Sequence, residues 1–72
     1  MRVNKQDLAI REERVNSLLK KVKVKVAFRY NYAAIDLAND KGIMIETLAA
    51  GLTKPQVYEI LCCLERVLTL EG

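Results

Sequence analysis

Two adjacent thiols, Cys62 and Cys63, and two adjacent carboxylates, Glu12 and Glu13, are the most reactive side chains in this sequence, and no histidine accompanies either pair. A thiol nucleophile is normally activated by a neighbouring imidazole, and a general base working near neutral pH is most often histidine. Both are missing, and no Ser or Thr sits in a strand-to-helix nucleophile elbow. The Glu pair lies among arginines on a helical stretch, where it reads as solvated surface charge. Neighbouring cysteines in a helix point about 100° apart, so they form neither a relaxed disulfide nor half of a tetrahedral zinc site. The expectation is a protein without catalytic residues, metal or cofactor, and without a small-molecule substrate.

Anion-binding chemistry is better supplied. Gly42, Gly51 and Gly72 are isolated, so there is no glycine-rich phosphate loop, and Gly51-Leu52-Thr53 reads as a plain helix start. Cations, however, alternate along one stretch: Lys21, Lys23, Lys25 and Arg29 interleave with Val22, Val24, Val26, Phe28, Tyr30 and Tyr32. A period of two places these sets on opposite faces of a strand. The expected arrangement has valines and aromatics turned to a core and the four cations forming an open surface for phosphate or for another anionic partner. With the aromatics inward, base stacking is not expected of them. The competing role for the lysines is to keep a sheet face solvated and free of aggregation.

The elements that carry these residues follow from local signals. A helix is predicted over residues 5–20, capped by Asn4, with Asp7 in its first turn and an Asp7–Arg11 pair four residues apart. Leu8, Val15, Leu18, Leu19 and Val22 form its apolar stripe, and Ile10 lies off it. The period-two run starts at Val22 and slips phase past Tyr32, where Ala33, Ile35 and Leu37 take over as the bulky set. A bulge or a break near residues 31–34 produces such a slip. Asn39-Asp40-Lys41-Gly42 is a turn signal, so a hairpin is predicted there, with a returning strand from Ile43 to about Ala50. Thr53-Lys54-Pro55-Gln56 is a capping box that opens a last helix, with Leu52 placed to staple onto Val57. Val57, Ile60, Leu61, Leu64, Val67 and Leu68 form that helix's apolar stripe.

The fold class expected is therefore α+β, in one domain covering residues 1–72: a helix, a long strand and hairpin in an antiparallel sheet, and a C-terminal helix packed on the sheet. A mostly α alternative comes from residues 43–68. The segments Leu48-Ala49, Gly51-Leu52-Thr53 and Val57-Tyr58 resemble the helix-turn-helix of winged-helix regulators, although Thr47 and Ala50 replace the alanine and the apolar residue that precede the turn glycine in that family. The resemblance implies DNA contact by Lys54 and Gln56, on a helix face that continues through Glu59 and Glu65.

Composition sets the remaining bounds. At 72 residues and 51% hydrophobic content, the chain is globular but has a small core, for which help from a second chain is a common solution. No apolar run approaches the roughly 20 residues of a membrane span, and residues 1–10 lack the apolar segment of a signal peptide, so a cytoplasmic location and no membrane partner are expected. The net charge of +3 is unevenly spread: residues 1–30 carry nine Lys and Arg against three acids, and residues 31–72 carry three against six. A strand running from Val22 to about Ala38 outruns its returning partner, so its first half is expected to pair with a second copy. Val22, Val24, Val26 and Ile10 are the expected subunit contacts. The functional expectation is a homodimeric, non-enzymatic binding module, similar in general character to small accessory proteins of phages and mobile elements. Another protein is its favoured target and nucleic acid the alternative.

Overall fold

A computed structural model of the chain describes residues 3–71; Arg2, one of the N-terminal cations, lies outside the described residues. Helix α1 spans Lys5–Leu18 and starts with a reciprocal cap. The Asp7 N–H donates to Asn4 Oδ1 at 2.9 Å, and the Asn4 N–H donates to Asp7 Oδ2 at 3.1 Å. Asp7 is thereby spent on the cap, so the expected Asp7–Arg11 pair does not form. Arg11 instead donates to Glu65 Oε2 at 2.7 Å and to the Tyr58 hydroxyl at 3.2 Å, both on the last helix. The Tyr58 hydroxyl first, then Cys62, raise the Arg11 pKa above its ordinary value; burial opposes them, and Glu65 adds the smallest contribution.

The long strand expected from Val22 is two strands. β1 (Val22–Phe28) and β2 (Ala33–Asn39) run antiparallel, from Val22 opposite Asn39 to Phe28 opposite Ala33. The Arg29 N–H donates to the Tyr32 carbonyl at 2.8 Å and closes the loop between them. Of the two structures the phase slip allows, the break is the one formed. β1 therefore pairs along its whole length within the chain, and no surplus strand is left over at its start.

A second turn leads to β3 (Met44–Leu52), giving a sheet in the order β1-β2-β3. Asn39 organises this turn: its Oδ1 accepts the N–H groups of Lys41 and Ile43 at 2.9 and 3.0 Å, while Gly42 takes φ 84. β3 is irregular against β2, with three register shifts over its nine residues. Helix α2 (Lys54–Glu71) follows at once, and its start is the Thr53/Gln56 box: the Thr53 N–H donates to Gln56 Oε1 at 2.8 Å and the Gln56 N–H to Thr53 Oγ1 at 3.3 Å. Because residues 44–52 are a strand, the helix-turn-helix likeness is set aside: the first of its two helices does not exist.

Both helices pack together on one face of the sheet. Leu8 and Val15 of α1, Val57 and Leu61 of α2, Val24 and Val26 of β1 and Ala33 and Ile35 of β2 form the buried cluster. Leu18, expected in the α1 stripe, is exposed, and Leu19 packs at the core edge in its place. The arrangement is the α+β one expected, an N-terminal helix, a three-stranded antiparallel sheet and a C-terminal helix on the sheet. Among the described residues, no helix is long and apolar enough to cross a membrane.

Candidate binding groove

The period-two pattern holds only for the first half of the run. Val24 and Val26 are buried, whereas Phe28, Tyr30 and Tyr32 are exposed by 41%, 98% and 45%. The expectation that these aromatics face the core is thus overturned, and the cause is the break. Tyr30 stands in the β1–β2 loop, with Tyr32 at its end, and Phe28 is the last residue of β1.

The loop places these rings beside the starts of both helices. Phe28, Tyr30 and Tyr32 line an open groove of about 570 Å³ with Lys5, Arg29 and Lys54, backed by Val3, Ala33 and Leu52. Lys5 is the first residue of α1 and Lys54 the first of α2, so the positive ends of two helix dipoles open on the groove. The Lys5 ammonium lies 4.9 Å from the Phe28 ring centroid, a cation over an aromatic face. Among the described residues, no carboxylate lines this groove; the nearby Asp7 is turned into the α1 cap. The site is therefore apolar at its back, aromatic on one side and cationic around its rim.

The four cations singled out in the sequence have different surroundings. Arg29 lines the groove. Lys23 reaches back to the end of α1, where Nζ donates to the carbonyls of Asn16 and Leu19 at 2.8 and 3.4 Å. It completes a helix whose last turn holds no basic residue of its own. Lys21 and Lys25 are exposed, and Lys25 stands opposite Asp36 in register. Asp36 is buried on the sheet face away from the helices and accepts the Thr47 hydroxyl at 2.9 Å.

Of the expected subunit contacts, Val24 and Val26 belong to the chain's own core, Val22 is half-buried and Ile10 is exposed. The middle of the outer edge of β1, moreover, is occupied. The Val24 N–H donates to Asn16 Oδ1 at 2.8 Å, Asn16 Nδ2 donates to the Val24 carbonyl at 2.9 Å, and the Val26 N–H donates to Glu12 Oε2 at 3.0 Å. Helix α1 thus takes the place of a neighbouring strand. Cys62 is half-buried and Cys63 exposed, both free thiols, and among the described residues no three Cys, Asp or Glu side chains form a metal-binding group.

Lys5, Lys54, Tyr30 and Tyr32 were not legible as one site, because they come from three places in the chain. The phase slip was the available signal: an Asn between two Tyr at a point where the strand pattern fails marks a loop tip, and a loop tip exposes its side chains. Comparison with known protein families, with curated proteins and with solved structures gives no match in any of the three.

Proposed function

We propose that this protein is a non-enzymatic binding module that takes single-stranded nucleic acid in the groove between the β1–β2 loop and the two helix starts, and that it does so as a homodimer. The observation that carries the reading is the exposed aromatic set inside a rim of cations with no carboxylate. Proteins that hold single strands without sequence preference combine these two elements, a cationic track for phosphates and aromatic faces for bases. Tyr30, 98% exposed, has no packing role to explain its ring. The sequence favours another protein as the target; nucleic acid takes its place because the groove joins exposed rings with Lys5, Arg29 and Lys54. Stoichiometric binding of this kind suits an accessory protein of the phage or mobile-element type acting in the cytoplasm, and we extend the proposal to that role.

Fluorescence anisotropy with a labelled oligothymidylate about twelve nucleotides long tests the reading. Binding is expected to weaken steeply as salt rises, and Tyr30→Ala is expected to weaken it by roughly 5- to 100-fold, the range for losing one base stack. Binding to a blunt duplex of the same length is expected to be weaker. No binding at low salt, or a Tyr30→Ala chain that binds as tightly as the parent, overturns the proposal; preference for an acidic peptide over the oligonucleotide restores the protein-partner reading.

A further inference from the structure

The three rings of the groove are not equivalent. The Lys5 ammonium stands 4.9 Å from the centroid of Phe28, inside the ~6 Å at which a ring face attracts a cation. Among the described residues, no cation stands over Tyr30 or Tyr32. One face of Phe28 is thus already taken, whereas Tyr30 is almost wholly open and Tyr32 is exposed. Lys5 is also placed against the local preference of a helix. It is the first residue of α1, as Lys54 is of α2, and the positive end of a helix dipole disfavours a cation there. α2 has no acid in its first turn, and the one acid of the first turn of α1, Asp7, is engaged in the cap. Among the described residues, neither lysine nor Arg29 is in an ion pair. Cations kept at a position that disfavours them, unanswered by a carboxylate and in one case held by a ring, mark a place where local stability yields to the binding of an outside anion.

We infer that Phe28 takes no base: it is a positioning residue that holds Lys5 for a phosphate, so that a bound strand lies with its backbone towards the two helix starts and a base on Tyr30. The inference rests on the single-strand reading of the groove and assigns its two sides. Lysine carries its charge on a long, flexible stem, and ordering such a side chain on binding lowers affinity by roughly 2- to 12-fold. The Phe28 ring confines the ammonium before the strand arrives and so removes much of that loss. For Phe28 to stack on a base through the same face, it would first have to release Lys5, giving up the cation–ring contact and returning the ammonium to free motion. Tyr30 has no such occupant, and it stands at the loop tip beside Arg29. Stacking therefore falls to the loop, and phosphate contact to Lys5 and Lys54 with the helix dipoles behind them.

Fluorescence anisotropy on the full chain with two probes, an oligothymidylate about twelve nucleotides long and an abasic strand of equal length, separates the two sides. Phe28→Leu, which stays apolar but offers no ring face, is expected to weaken both probes by the same factor, roughly 2- to 12-fold. Phe28→Tyr, which keeps the ring, is expected to bind as the parent does. In a Lys5→Met background, Phe28→Leu is expected to have no further effect. Tyr30→Ala is expected to weaken the oligothymidylate far more than the abasic strand. The inference is overturned if Phe28→Leu weakens only the strand that has bases, acts equally with and without Lys5, or binds both probes like the parent. Should Phe28→Leu fail to fold by circular dichroism, nuclear Overhauser contacts in the parent complex decide. Thymine contacts to Tyr30 with none to Phe28 support the inference, and thymine contacts to Phe28 overturn it. Any of these failures in a chain that still binds oligothymidylate removes the role of Phe28 alone. A parent that binds neither probe, while its Lys5 ε-methylene protons remain shifted upfield by the Phe28 ring, removes the single-strand reading and the phosphate role with it.

Discussion

Asn16 of α1 and Val24 of β1 exchange two hydrogen bonds, Val24 N–H to Oδ1 at 2.8 Å and Nδ2 to the Val24 carbonyl at 2.9 Å. An amide side chain has the same donor and acceptor pair as a peptide unit, so Asn16 meets the strand edge as another strand would. Together with the Glu12 carboxylate on the Val26 N–H, it occupies the middle of the β1 edge.

Replacing Asn16→Ala leaves a part-buried N–H and C=O of Val24 without partners. A loss of about 1–3 kcal/mol is expected, seen as a fall in Tm of several degrees, since each kcal/mol shifts a domain of this size by ~4–8 °C. Thermal and urea denaturation followed by circular dichroism measure it. An Asn16→Ala chain as stable as the parent would show that water serves the β1 edge equally well.

Thr47 is the other position where a single polar contact fixes strand geometry. Its hydroxyl donates to the buried Asp36 carboxylate at 2.9 Å across the irregular β2–β3 pair. Thr47→Val keeps the shape and removes the donor. The expected cost is about 1–2 kcal/mol, with β3 amides exchanging faster than those of β1. Equal acceleration in all three strands would argue against a local role for this bond.

At Gly51 the backbone alone sets the cost. The residue has φ 70, and a Cβ built there meets nothing within 4 Å. Gly51→Ala is therefore free of clashes, yet places a side chain in the left-handed region, a change expected to destabilise by about 1 kcal/mol. The same denaturation curves check this. A larger loss would mean that the substitution also disturbs the Thr53 cap two residues on.

The local outline of the fold was legible in the sequence. Asn4, Asn39, Gly42 and the Thr53-Gln56 box each act on backbone groups within a few residues, so their identities place the helix starts and the second turn without reference to the rest of the chain. The alternation from Val22 and the change of phase after Tyr32 marked the strand and the point where its pattern fails. What the failure meant was not legible, since a bulge and a break give the same slip.

Amino-acid order by itself determined the two helix starts, the second turn and the face of β1 that carries Val24 and Val26, because periodicity and capping are properties of neighbours along the chain. Tertiary structure alone decided the surface geography. Arg11 abandons Asp7 for Glu65, 54 positions away; Asn16 meets the β1 edge at Val24; and Lys5, Tyr30 and Lys54 meet at one groove. Each of these depends on which elements come to lie side by side, and that is settled by burying one shared set of apolar side chains, a quantity of the whole chain that no local stretch encodes.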